Sequence, residues 1–229
     1  MWAIAKKEFK QYFLSPIGYC FIGVFLLICS LYFYIGIFQY QTASFTLIFS
    51  NLLIILFLTF MIPILTMRIF SEERKNGTEV LLLTSPRSIT SIVLGKFIAA
   101  AFVVLIATFS TLIYFFILKF FGKPQFASSI IAIIGISLLA LAYVSFGMFA
   151  SSITENQVVA AVISIGFFIF SWLAPNMISS LSDFSLIDAF TRSFLNGTIS
   201  VANLVLLVSF TIMFLIFTIM VLQRRKLVK

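Results

Sequence analysis

Six long apolar runs, separated by short polar connections, dominate the chain. Each is close to the roughly 20 residues that a helix needs to cross a hydrocarbon core about 30 Å thick. The pattern predicts an all-α integral membrane protein in which residues 1–229 form a single membrane domain. The six predicted transmembrane helices cover about residues 17–39, 47–67, 95–118, 129–151, 157–175 and 201–222.

A shorter amphipathic stretch, residues 2–14, precedes the first span. It is too polar to cross a membrane, and its apolar residues recur every three or four positions opposite a lysine-rich face. This spacing predicts a helix that lies in the membrane interface, and Pro16 separates it from the first span. The apolar positions are Trp2, Ala5, Phe9, Tyr12 and Phe13, and the polar positions are Lys6, Lys7, Lys10 and Gln11.

Composition indicates that lipid is part of the solvent. Hydrophobic residues make up 62% of the chain and charged residues only 10%, whereas a soluble domain carries about a quarter charged residues. The net charge of +8 would suggest nucleic acid in a soluble protein, but the basic residues flank the apolar spans, so we predict no nucleic-acid partner. The absence of His excludes histidine metal sites and histidine bases. Cys20 and Cys29 lie too far apart along one helix for a disulfide.

Lys and Arg residues are distributed unequally between alternate connections. Twelve lie on the side that holds both termini, and three lie on the other side. Because basic residues accumulate on the cytoplasmic side, we predict a multi-pass protein with an even number of spans and both termini in the cytoplasm. The twelve are Lys6, Lys7, Lys10, Arg68, Arg74, Lys75, Arg87, Lys96, Arg224, Arg225, Lys226 and Lys229, and the three are Lys119, Lys123 and Arg192.

The connection between the second and third spans, residues 68–96, is the most informative segment. Its charged start extends the second helix beyond the bilayer, and Asn76-Gly77 predicts a helix stop. Thr78 and Glu79 then begin a short helix that carries four aliphatic residues, 80–83, and ends before Pro86. Apolar side chains left in water forgo the free energy of burial, so we expect another surface to cover these four. Two interpretations remain open: they pack against the protein's own helix ends, or they dock into a soluble partner.

This connection carries a spaced set of motifs: Thr66-Met67-Arg68, Glu72-Glu73-Arg74, Gly77-Thr78-Glu79, Leu82-Leu83-Thr84-Ser85-Pro86 and Leu94-Gly95-Lys96. Together with the turn at residues 151–157 and the order of the spans, it resembles the ABC-2 type permeases of ABC transporters, and most closely their gliding-motility branch. The resemblance implies a cytoplasmic coupling helix that seats in an ATP-binding subunit. The docking residues that it implies are Arg68, Glu72, Glu73, Gly77, Thr78, Glu79, Leu82, Leu83 and Pro86.

The chain contains no G-x-x-x-x-G-K-[ST] phosphate loop, so it is not the ATPase itself. We therefore expect no cofactor in this chain, and we expect ATP and magnesium on the ATP-binding partner. The resemblance also implies a second permease copy or a related permease. An extracytoplasmic accessory protein is a further candidate partner.

Two other polar features lie near the fourth and fifth spans. Thr154 and Gln157 have the spacing of a capping box, with Glu155 between them, which predicts a tight cytoplasmic hairpin. This turn either only caps the hairpin or makes a second, smaller contact with the ATPase. Gly147 and Ser151 have small-xxx-small spacing, which predicts a close approach of helices.

Residues 176–200 carry apolar residues at helical spacing with charges between them. They predict one or two amphipathic helices on the outer face that end at Asn196-Gly197. These helices either cap a substrate path or pack at the interface. The branch that the chain resembles would carry an acidic residue near Asn203, and this chain has none there.

The spans carry no Asp, Glu, Lys or Arg deep between their ends, which argues against proton- or sodium-driven carriers and charged-filter channels. No carboxylate pair or Ser/His arrangement in the spans indicates an enzyme. We predict the permease subunit of an ABC transporter that exports an unidentified substrate across the bacterial inner membrane, as a dimer of permeases bound to two ATPases. The first alternative is a mechanical transmission module that couples ATP hydrolysis to an extracytoplasmic partner without transport. The second is a haem-handling exporter component.

Overall fold

Every regular element among the described residues is a helix, which confirms the predicted fold class. The computed structural model describes residues 1–36, 45–80, 87–121, 125–177 and 185–228. The helices are α1 (Trp2–Leu14), α2 (Pro16–Tyr34), α3 (Thr46–Phe49), α4 (Leu52–Thr66), α5 (Arg68–Lys75), α6 (Ile89–Ser110), α7 (Leu112–Phe121), α8 (Phe126–Ile153), α9 (Gln157–Met177), α10 (Leu186–Ala189) and α11 (Val201–Val228), with a π-helical turn at Phe190–Phe194 after α10.

Six stretches of the described chain are long and apolar enough to cross a membrane, as predicted. They are formed by α2, by α4 continued into α5, by α6 continued into α7, and by α8, α9 and α11. The third span begins at Ile89 and not near residue 95, because Ser88 caps it: its hydroxyl accepts a hydrogen bond from the Ser91 N–H at 3.3 Å. The predicted end of the first span, near residue 39, lies outside the described residues.

The second span departs from the prediction of one unbroken helix over residues 47–67. α3 ends at Phe49 and α4 begins at Leu52, because Asn51 has an extended backbone and its side-chain oxygen accepts a hydrogen bond from the Leu53 N–H at 3.3 Å. An Asn side chain that bonds the backbone locally competes with helical bonding and starts a new helix. The apolar part of the span therefore begins at Leu52, and the helical stretch continues past it into the polar α5.

α8 lies at the centre of the bundle and packs against α4, α5, α6, α9 and α11. Small residues let its neighbours approach closely. A Cβ on Gly147 would overlap the Thr66 hydroxyl of α4, and a Cβ on Gly135 would overlap the Phe194 ring. The predicted close approach at Gly147 is therefore confirmed. By contrast, most residues of α2, α9 and α11 are not buried, which leaves apolar surface for lipid.

α1 is a helix over the predicted residues, and its apolar face packs on the bundle. Ile4 lies against Gly95 near the start of α6, where an added Cβ would come within 3.1 Å of the Ile4 side chain. The Tyr12 hydroxyl donates to the Leu65 carbonyl of α4 at 3.4 Å. Burial and the nearby Glu8 carboxylate raise the pKa of the Tyr12 phenol, so it remains a neutral donor. The lysine face is exposed, as its spacing predicted.

The segment that precedes α11 packs against α8. Phe194 of the π-helical turn packs against Gly135, and Gly197 has φ +71°, which ends the turn as Asn196-Gly197 predicted. Helix is therefore present in the predicted outer segment, although residues 178–184 lie outside the described residues. Asn203 donates a hydrogen bond to the Ser193 hydroxyl.

Candidate functional site

The joint between α4 and α5 is held by one serine of α8. α4 ends at Thr66 and α5 begins at Arg68, so the first N–H groups of α5 need partners from outside the helix. The Ser151 hydroxyl accepts from the Phe70 and Ser71 N–H groups, both at 3.1 Å, and donates to the Met67 carbonyl at 2.9 Å. This single side chain fixes the start of α5 to α8.

A buried set of charges, which we name the lysine cluster, comprises Lys96, Glu8 and Glu73. The Lys96 ammonium donates to Glu73 Oε1 at 2.8 Å, to Glu8 Oε1 at 3.1 Å and to the Ile69 carbonyl at 2.9 Å, which uses all three of its donors. The Phe70 ring centroid lies 5.3 Å from the ammonium. The side chain of Lys96 is only 2% exposed, so its charge requires these partners. The cluster joins α5 to α1 and α6.

A second set of ion pairs, which we name the arginine cluster, surrounds the Ile153 carbonyl. Arg74 pairs with Glu155 at 2.7 Å, and Arg225 pairs with Glu79 at 3.1 Å. Both guanidinium groups also donate to the Ile153 carbonyl, at 2.9 and 3.1 Å. Because Ile153 is the last residue of α8, its carbonyl lies at a helix terminus that attracts cations. This cluster joins α5 and residue 79 to α8 and α11.

Between the two clusters the chain turns at Asn76-Gly77. Asn76 caps α5, and Gly77 has φ +72°, a left-handed conformation that glycine adopts without a steric cost. The Thr78 hydroxyl donates to the Glu73 carbonyl at 3.1 Å, and helical backbone resumes at Glu79. The predicted helix stop is confirmed.

The turn between α8 and α9 is capped differently from the prediction. α9 begins at Gln157, and Asn156 caps it, since its Oδ1 accepts from the Val158 N–H at 2.9 Å. The Thr154 hydroxyl instead donates to the Ala150 carbonyl at 3.3 Å, at the end of α8. The predicted Thr154–Gln157 capping box is therefore wrong, because Asn is the stronger cap and lies next to the first helical residue.

A comparison with known families decides what kind of membrane bundle this is. Residues 2–227 match the family model described as ABC-2 family transporter protein. The chain belongs to the ABC-2 transporter family. Among curated proteins, no sequence matches the chain significantly. Membership implies a membrane subunit that works with an ABC ATP-binding partner.

The residues that the ABC-2 resemblance singled out fall in different places. Glu73 and Glu79 are tied into the two clusters, and Glu155 pairs with Arg74. Within the described ranges, no group of His, Cys, Asp or Glu side chains is arranged to hold a metal ion. Arg68, Gly77 and Thr78 are exposed. Glu72 is half-buried, and so are Thr154 and Gln157 of the second turn. Leu82, Leu83 and Pro86 lie outside the described residues.

Five members of the site are absent from the sequence-based set: Glu8, Arg74, Lys96, Ser151 and Arg225. A signal existed for Lys96: once its helix is taken to start after Ser88, it lies two turns inside an apolar helix, where a cation needs a counter-charge. Glu8 carried a weaker signal, as the one acid among the lysines of α1. Arg225 carried none, because it is one of several basic residues at the end of the ABC-2 chain.

Proposed function

We propose that this ABC-2 chain is the permease subunit of an ABC exporter in the bacterial inner membrane, powered by a separate ATPase. Residues 68–86, which we name the docking segment, receive that ATPase on the cytoplasmic face. The observation that carries the proposal is that this segment is anchored at its base and exposed at its turn. α5 is fixed at its base by Ser151 and the lysine cluster, and it leads through an open turn at Gly77 into the helix that begins at Glu79. A firmly held base with an accessible tip suits a docking element.

The two charge clusters support ATP-driven coupling through the docking segment. The lysine cluster links it to α1 and α6, and the arginine cluster links it to α8 and α11. A displacement of the segment by closing ATPases would therefore reach α6, α8 and α11 through direct contacts and α1 through Lys96. We place ATP and magnesium on the partner, and we propose that a second permease, identical or related, completes the transporter.

The arrangement of the chain ends supports a cytoplasmic position for this face. Glu8, near the N-terminus, shares the Lys96 ammonium with Glu73 of the docking segment. Arg225, near the C-terminus, pairs with Glu79 of the same segment, so both ends lie at the same end of the bundle. This end also carries most of the Lys and Arg residues. We propose that both termini are cytoplasmic, in accordance with the positive-inside rule.

A mechanical transmission module, as in the gliding-motility branch, is the second candidate function. The observation that favours it is the packing at the outer end, where Phe194 lies against Gly135 and a Cβ on Gly197 would overlap Ser128. Because these contacts attach the outer segment to α8, a shift of α8 would move the outer surface and any extracytoplasmic partner bound there. The same ATPase docking would then drive movement without transport.

The test of the proposed function is capture of the ATPase by the tagged full-length chain in mild detergent, followed by mass spectrometry. We expect an ABC ATP-binding subunit to co-purify, and we expect Leu82→Asp to abolish its capture, because a charge would replace an apolar docking side chain. Gln11→Asp, an exposed position on α1, is the matched control and should retain the subunit. Undiminished capture by Leu82→Asp, or no ATP-binding subunit with the unaltered chain, would overturn the proposal.

A further inference from the structure

The turn at Gly77 is not held in place by packing. A Cβ placed on Gly77 would meet no heavy atom within 4 Å, and residues 75–78 are exposed. A helix that leaves such a turn has little around the turn to fix its direction. Contacts beyond the turn must therefore set the direction of the helix that begins at Glu79.

Arg225 of α11 supplies such a contact. Its Nη1 donates to Glu79 Oε1 at 3.1 Å, and its Nη2 donates to the Ile153 carbonyl at 3.1 Å. The Glu79 side chain is 10% exposed and that of Arg225 is 21% exposed, so both charges are largely removed from water and each depends on the other. One planar guanidinium thus bridges the first residue of the helix and the last residue of α8.

The residue before the turn is held in a comparable way. Glu73 is fixed by Lys96 at 2.8 Å, and the Glu73 carbonyl accepts from the Thr78 hydroxyl at 3.1 Å. The chain is therefore braced by an ion pair on each side of an otherwise open turn. The contact of Arg225 acts on Glu79, the first helical residue after the turn.

We propose that Arg225 is a positioning residue for partner docking: it fixes the direction in which the helix after the Gly77 turn meets the ATPase. This inference rests on the proposed function, and it extends the docking site to a residue 146 positions further along the chain than Glu79. It also makes the C-terminal end of α11 part of the coupling path, because force on Glu79 passes directly to Arg225.

The first test compares two neighbouring arginines. The dissociation constant of the ATP-binding subunit that co-purifies with the unaltered chain is measured against the full-length chain in lipid nanodiscs. Arg225→Ala should weaken binding about tenfold, the scale of one lost charge-assisted hydrogen-bonded contact. Arg224→Ala, an exposed position with the same change of charge, should alter binding less than about twofold. Arg225→Lys should lie between the two, because an ammonium cannot match the two-armed guanidinium.

The second test separates positioning from general loss of structure. If Arg225 acts through Glu79, then Arg225→Ala should add little to the effect of Glu79→Gln on binding, and the weaker binding of Arg225→Ala should persist at temperatures well below the unfolding temperature of that variant. Equal binding by the two arginine variants, or strictly additive effects of the Glu79 and Arg225 changes, would overturn the inference. Recovery of full binding by Arg225→Ala well below its unfolding temperature would overturn it as well. If the inference about Arg225 fails but Leu82→Asp still abolishes capture of the ATP-binding subunit, the proposed function stands.

Discussion

At the scale of single residues, Lys96 has the most demanding environment in the described chain. It is almost fully buried, all three of its N–H donors are used, and two carboxylates share its one positive charge. Glu73 Oε2 is buried and has no hydrogen-bond partner among the described residues, so this carboxylate relies on the contact of its other oxygen with Lys96. The stability of this end of the bundle therefore depends on the ammonium more than on either carboxylate.

Replacement of Lys96 by Met should lower the free energy of unfolding by about 3–5 kcal/mol, because Glu8 and Glu73 would then be left without their counter-charge. Lys10→Met, at an exposed position of α1, is the control and should change stability by less than about 0.5 kcal/mol. Reversible unfolding in detergent micelles measures both. Adding Glu8→Gln to Lys96→Met should recover part of the loss. Equal stability of the two single Lys variants would refute this role of the cluster.

At the scale of elements, the attachment of α5 to α8 depends on a small-residue stripe. Gly147 allows Thr66 to approach, and one turn later Ser151 reaches the unpaired backbone at the start of α5. Hydrogen bonds between the Ser151 hydroxyl and the backbone of α5 therefore join α5 to α8, in addition to apolar packing. Such a joint transmits movement of α5 to the central helix of the bundle.

Ser151→Ala should destabilise the chain by about 1–3 kcal/mol, because it leaves the Phe70 and Ser71 N–H groups buried without an acceptor. Ser145→Ala is the matched control. Ser145 is equally buried on α8, but its hydroxyl donates to the Ala142 carbonyl of its own helix, so its loss should cost less. Chemical unfolding of the two variants in detergent compares them directly. A similar loss for both would mean that the joint does not depend on Ser151.

The sequence was sufficient to predict the helices but not the contacts between them. Apolar run length predicted six spans, and Asn76-Gly77 predicted where α5 ends, because both signals are local. Two errors also arose from local signals. The cap at Asn51 lies within a long apolar run, and the cap at Asn156 lies within the spacing of a capping box, so in each case the longer pattern concealed the cap.

The clusters depend on tertiary contacts that no spacing encodes. Glu8 and Lys96 are 88 positions apart along the chain. Arg225 is chemically identical to Arg224, and only the position of α11 beside α8 selects it. The polarity of these side chains could be read from the sequence, whereas their pairing required the fold.

At the scale of the whole molecule, the bundle has two unlike ends. One gathers the N-terminal helix, the docking segment, the turn between α8 and α9 and the end of α11 around two charge clusters. The other carries the start of α8, α10 and the π-helical turn. Our account requires that the first end faces the cytoplasm, because only there can an ATPase reach the docking segment.

The sidedness of Asn76 tests that requirement most directly. In a Cys20→Ser background, Asn76→Cys and the control Gln125→Cys, exposed at the opposite end, are treated with a membrane-impermeant thiol reagent. We predict that Cys substituted at position 76 reacts in inside-out vesicles and not in intact spheroplasts, and that the substitution at position 125 shows the reverse. Reaction of position 76 from outside the cell would contradict the account, because no cytoplasmic ATPase could then reach the docking segment.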